Sequence, residues 1–136
     1  MNTMRTVKFE KTSKELNALE KLAYQDTSDC LSLDKVLEEA VRNGQPYITI
    51  NPAEYVLLAI HNDKPKAGAS PDYNTLIIID TDGNKYATGS NSFMESFVNI
   101  FDTLRADNVV DYKVKVIRKE SNNYKGKYFL TCNVAI

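Results

Sequence analysis

The residues best placed to do chemistry are concentrated in the stretch 112–136. There Lys113, Lys115, Arg118, Lys119, Lys125 and Lys127 stand against Glu120 alone, a net charge of +5. Tyr112, Tyr124, Tyr128 and Phe129 are interleaved with them. Cationic side chains neutralise phosphates and release condensed counterions, and aromatic faces stack on bases without demanding a sequence. Lysines alternating along a strand beside aromatics supply what a single-strand groove needs, and Asn122 and Asn123 add hydrogen-bonding groups at the turn. A solvated hairpin whose lysines keep a sheet edge from aggregating has the same pattern. Lys64 and Lys66 form a second basic pair, in a loop over 62–72 that also holds Pro65, Gly68 and Pro71.

Other chemistries find less support. Cys30 and Cys132 are far apart, neither belongs to a Cys-x-x-Cys pair, and His61 is the single histidine. A four-ligand zinc site is not expected, and the two thiols read as small core hydrophobes of a reducing compartment. Asp80 and Asp82 lie at a turn, and Asp82-Gly83 reads as the turn itself rather than as part of a metal pair. Thr88-Gly89-Ser90-Asn91-Ser92 precedes a helix, where backbone amides can hold an anion, but no Gly-Lys-Ser/Thr follows a glycine-rich run as a P-loop requires. His61 has no partner visible in the sequence, and no Ser-His-Asp order is present. The expectation is a protein that is not an enzyme and needs no metal or cofactor.

Composition sets the frame for these residues. The chain has 136 residues, 43 % hydrophobic and 26 % charged, with a net charge of −1. This is the make-up of an ordinary globular domain large enough to bury a core unaided. A uniformly basic nucleic-acid binder is excluded, but the near-neutral total conceals segments of −1 (1–44), −5 (45–111) and +5 (112–136). No run of about 20 apolar residues is present to span a membrane. Met1–Glu10 alternates and lacks the apolar run of a secretory signal, so a cytoplasmic location is expected.

The elements that must position the basic stretch follow from periodicity. Thr6–Glu10 alternates as a strand. Thr12 and Glu15 have capping-box spacing, and Leu16, Leu19, Leu22 and Ala23 predict a helix over 13–24. Ser32 caps a second helix bearing Leu33, Val36, Leu37, Ala40 and Val41, with Gly44 just past its end. Tyr47–Ile50, Tyr55–His61, Leu76–Ile79 and Lys85–Gly89 read as strands, the first two joined as one strand broken at Asn51-Pro52. Ser92 and Glu95 give a second capping box before a helix over 92–105 whose stripe is Phe93, Phe97, Ile100, Phe101 and Leu104. Val110–Arg118 and Tyr128–Val134 are the last strands, around a polar turn over 120–126.

From Tyr47 onward this order matches an OB-like fold: a five-stranded antiparallel barrel with a helix between its third and fourth strands. The expected class is α+β, with 1–44 as a helical N-terminal extension and 45–136 as the barrel domain. An α+β sandwich with helices covering one sheet stands as the alternative.

Tyr86–Phe93, the helix through Phe97, Ile100, Phe101 and Asp102, and Lys119–Lys127 together resemble small single-stranded DNA-binding and replication-accessory proteins of bacteriophages. The resemblance spans about 85–134. It implies an OB-like domain that coats single strands in a bacterial host's cytoplasm during replication or recombination. The expected partner is single-stranded DNA, held by Lys113, Lys115, Arg118, Lys119, Lys125, Lys127, Lys64 and Lys66, with stacking on Tyr112, Tyr124 or Tyr128. The acidic middle segment and the amphipathic N-terminal helices support an alternative, a small phage-encoded inhibitor or regulator that docks on a host protein. Self-association through an exposed strand or the helices is compatible with either.

Overall fold

The computed structural model describes residues 5–64, 67–68, 70–120 and 128–135. The N-terminal alternation forms β1 (Arg5–Thr12), followed by α1 (Ala18–Gln25). The helix starts later than expected because the capping spacing occurs twice. Thr12 is still paired with Val56 in the sheet, and its hydroxyl donates to the Lys14 carbonyl at 2.6 Å. The box forms instead between Asn17 and Glu20: Asn17 Oδ1 accepts from the Glu20 amide at 2.9 Å, and Glu20 Oε1 from the Asn17 amide at 3.2 Å. The heptad-like leucines do not form a buried stripe. Leu16 is buried, whereas Leu19 and Leu22 are 79 % and 64 % exposed.

The two-residue strand β2 (Leu31–Ser32) leads into α2 (Leu33–Arg42). Ser32 caps it by accepting from the Lys35 amide at 3.4 Å, and Leu33 and Leu37 are buried. Gly44 closes its C-terminus in the left-handed conformation (φ +86°), which glycine adopts without a Cβ penalty.

The chain then crosses between two sheets. β3 (Ile48–Ile50) and β4 (Pro52–Asn62) are separated by Asn51 alone. β3 pairs antiparallel with β7 (Lys113–Glu120), which pairs in turn with β8 (Tyr128–Ala135), giving the small sheet β3-β7-β8. β4 pairs with β1 and with β5 (Asp72–Asp80), and β6 (Lys85–Thr88) and β2 complete the large sheet β1-β4-β5-β6-β2. The Asp-Gly turn between β5 and β6 forms as expected. Asp80 Oδ1 accepts from the amides of Asp82 and Asn84 at 2.9 and 2.8 Å, and Gly83 takes φ +87°.

The core lies between the sheets. Strand alternation turns Tyr55, Leu76 and Ile78 of the large sheet toward Ile50, Val114, Val116, Leu130 and Cys132 of the small one. Burial pushes the Cys132 thiol up to about 12. α3 (Asn91–Ala106) fills the remaining side with Phe93, Phe97 and Phe101. Phe97 and Phe101 meet the Tyr55 ring edge-on, at 6.0 and 5.0 Å between centroids, geometry favoured by the ring quadrupoles. The Tyr55 hydroxyl donates to Asp102 Oδ1 at 3.0 Å, and Lys11 of β1 pairs with the other carboxylate oxygen. The N-cap of α3 is Ser90, not Ser92: Ser90 Oγ accepts from the Phe93 amide, while Ser92 Oγ donates to the Leu130 carbonyl of β8 at 2.8 Å. The opposite face of the large sheet buries Val56, Leu58, Ile60 and Ile77 under Leu16, Phe9 and Tyr24.

The architecture is therefore mixed α+β, with three helices and eight strands among the described residues. Neither sheet closes into the expected five-stranded barrel. The free edge of β6 is occupied by β2, and the Leu130 carbonyl on β8 is met by a serine hydroxyl rather than by another strand. Residues 1–44 carry β1 and β2 as well as the two expected helices, and both strands belong to the large sheet. Among the described residues no helix is long and apolar enough to cross a membrane. Phe97→Ala should lower unfolding free energy in urea by about 3–5 kcal/mol. Leu19→Ala should change it by no more than about 0.5 kcal/mol; a loss comparable to that of Phe97→Ala would show that α1 is packed after all.

Candidate nucleic-acid interface

The basic strand is sorted by its own alternation. Val114 and Val116 are 1 % and 0 % exposed, so Lys113, Lys115, Ile117 and Lys119 project from the other face of β7. The pairing register sets their neighbours on that face. Lys115 lies between Thr49 of β3 and Asn133 of β8, Ile117 opposite Thr131, and Lys119 opposite Phe129. The Lys115 ammonium sits 4.6 Å from the centroid of the Tyr47 ring, one residue before β3. Tyr47 and Phe129 are 37 % and 38 % exposed. By the same alternation, none of the described residues that β3, β7 and β8 place on this face is acidic.

The remaining expected site residues do not join this face. Arg118 has the opposite parity, and its guanidinium lies 4.4 Å from the centroid of the Tyr128 ring on that opposite side. Tyr112 packs against the core, and burial, then the Asp102 carboxylate, pushes its hydroxyl up to about 12. It is not available as an open stacking ring. Lys64 belongs to the connection between β4 and β5 of the large sheet, where its amide donates to Asn62 Oδ1 at 3.1 Å. Lys66, Tyr124, Lys125 and Lys127 lie outside the described residues.

Sequence reasoning missed Tyr47 and Thr49, and it quoted Phe129 without assigning it to the site. A signal was present in the alternation. Tyr47-x-Thr49 and Phe129-x-Thr131-x-Asn133 have the same period-two spacing as Lys113-x-Lys115, opposite in phase to the buried Ile50, Leu130 and Cys132.

The two sheets present different outer surfaces. That of the large sheet is apolar and covered by the N-terminal segment. That of the small sheet bears three lysines, two half-exposed aromatics and the polar Thr49, Thr131 and Asn133. Phosphate neutralisation and base contact are both chemically open to the second surface.

Elsewhere, Thr88–Ser92 is a strand-to-helix turn, with Thr88 Oγ1 donating to Asp34 Oδ1 at 2.9 Å and accepting from the Ser90 amide at 3.2 Å. No group of His, Cys, Asp and Glu among the described residues is arranged to hold a metal ion. His61 does have partners: Nδ1 lies 2.6 Å from Asp72 Oδ1, and Nε2 lies 3.0 Å from Asp63 Oδ1. Comparison with protein-family models, curated proteins and solved structures finds no match to this chain.

The hydrogen bond to Asp72 is the main cause holding the His61 pKa above its ordinary value of 6.5, with both nearby carboxylates adding to it. A raised folded-state pKa means that the stabilisation is complete below the unfolded value and is lost as pH rises through the folded one. Proton NMR titration of this single histidine should give a midpoint above 6.5, and Asp72→Asn should bring it back toward that value. A midpoint at or below 6.5 in the unaltered protein would contradict the pairing.

Proposed function

We propose that this chain binds single-stranded nucleic acid, DNA in the first instance, through the outer face of its small sheet and catalyses no reaction. The observation that carries this reading is the placement of Lys113, Lys115 and Lys119 on one exposed face that bears no carboxylate among the described strand residues. Along β7, Lys113 and Lys115 stand about 6.6 Å apart and Lys119 about 13 Å beyond them, with Ile117 between, so the three ammonium groups spread positive charge over the length of this face. The contact is electrostatic and sequence-tolerant, so the −1 total charge is no obstacle to it.

We further read the arrangement as an opened relative of the OB barrel. β3 and β4 act as one strand shared by two sheets, β5 and β6 follow, α3 stands between β6 and β7, and β7 and β8 complete the set. The role implied by this reading is that of a bacteriophage accessory protein of replication or recombination, acting in the host cytoplasm. A second reading, a regulator that docks on a host protein, is favoured by the exposed Leu19 and Leu22 of α1. Affinity capture from nuclease-treated lysate separates the two, since a stoichiometric partner that survives nuclease supports the regulator.

Fluorescence anisotropy with a labelled oligo-dT tests the leading reading. Three phosphate contacts predict that log K falls against log salt with a slope of about −2, from roughly 0.7 per contact. The triple variant Lys113→Ala/Lys115→Ala/Lys119→Ala should lose most of the binding and of the salt dependence, whereas Lys35→Ala, on the surface of α2, should change neither. No binding by the unaltered protein at low salt would overturn the reading.

A further inference from the structure

We infer that Tyr47 and Phe129 form the base-stacking platform of this face, with the single strand crossing β7 over Ile117 between Lys115 and Lys119. The inference rests on the nucleic-acid reading above and replaces Tyr112 and Tyr128 as the stacking residues. Tyr112 is packed against the core, and Tyr128, although exposed, lies with Arg118 on the opposite side of the sheet from the lysines. Among the described residues, Tyr47 and Phe129 are the aromatic ones that share the lysine face, and both are more than one-third exposed.

Their placement suits a strand of unpaired bases. Tyr47 adjoins β3 and Phe129 lies on β8, so the two rings flank β7 across two inter-strand spacings of roughly 4.8 Å each. Ile117 contributes an apolar floor between them. Each ring has a lysine beside it: Lys115 Nζ is 4.6 Å from the Tyr47 centroid, and Lys119 is the register partner of Phe129. A nucleotide presents those same two groups together, a flat apolar base and a phosphate. The aromatic–lysine pairs therefore repeat across the sheet in the form a single strand offers them. Duplex DNA hides its base faces in the stack and can use only the lysines, so the platform selects unpaired bases over duplex.

The chain contains no tryptophan, so Tyr47→Trp introduces a unique fluorophore at the platform. Titration with oligo-dT should quench its emission in step with binding measured by anisotropy. Separately, Tyr47→Ala/Phe129→Ala should weaken oligo-dT binding by about tenfold or more and leave the weaker duplex binding unchanged. Far-UV circular dichroism of each variant serves as the folding control. Binding of oligo-dT without quenching of the tryptophan would overturn the platform while leaving the nucleic-acid reading intact. If the double variant does not fold, the tryptophan titration alone decides. Failure of the unaltered protein to bind oligo-dT at low salt would overturn both.

Discussion

Burial of Val114 and Val116 is the constraint on which the rest of this structure depends. β7 is the central strand of the small sheet, hydrogen-bonded to β3 on one side and β8 on the other. A slip of one residue would expose both valines and drive Lys113 and Lys115 into the core. Exposing two fully buried valines forfeits about 1.5–3 kcal/mol each, and burying unpaired ammonium groups would cost more. The same alternation that secures the core thus gathers Lys113, Lys115 and Lys119 on one surface, with Tyr47 and Phe129 beside them. Folding energetics and the proposed binding surface are two consequences of one register.

The register is held because the core is closed from three directions. A single stretch of chain changes sheets at Asn51, so β3 and β4 bind the two sheets together covalently. α3 closes the open side with three phenylalanines, Phe97 and Phe101 against Tyr55 and Phe93 stacked on Phe97. Asp102 then joins the helix to the large sheet through the Tyr55 hydroxyl and the Lys11 ammonium. The N-terminal segment covers the other face of the large sheet, burying Val56, Leu58, Ile60 and Ile77. The outer face of the small sheet is left with three lysines and two aromatic rings at its surface.

Much of this is legible in the sequence where local pattern and tertiary context agree. α2 begins at Ser32 and closes at Gly44, the stripe of Phe93, Phe97 and Phe101 faces the core, and Asp80-Thr81-Asp82-Gly83-Asn84 makes the turn it promises. The departures occur where two local signals compete. Thr12-x-x-Glu15 and Asn17-x-x-Glu20 both spell a helix start, and pairing of Thr12 with Val56 decides for the second. Ser90 and Ser92 both can cap α3; Ser92 is instead engaged by the Leu130 carbonyl. Closure of a barrel depends on which strand occupies the edge of β6, a long-range choice made by Leu31 and Ser32 that no local period encodes. At the candidate site, summing charge over 112–136 located the basic strand but did not separate its faces. Parity around Val114 and Val116 separates Lys115 from Arg118 and brings in Tyr47 from a distant part of the chain.

The most direct measurement is a residue-resolved map of the contact surface, obtained from backbone amide NMR spectra recorded as oligo-dT is added at low salt. The account predicts shifts concentrated at Tyr47, Thr49, Lys113–Lys119 and Phe129–Asn133, with the amides of Val56, Leu58 and Ile77 on the covered face of the large sheet unmoved. Shifts centred on α1 or on the large sheet, or no shifts at all, would contradict it.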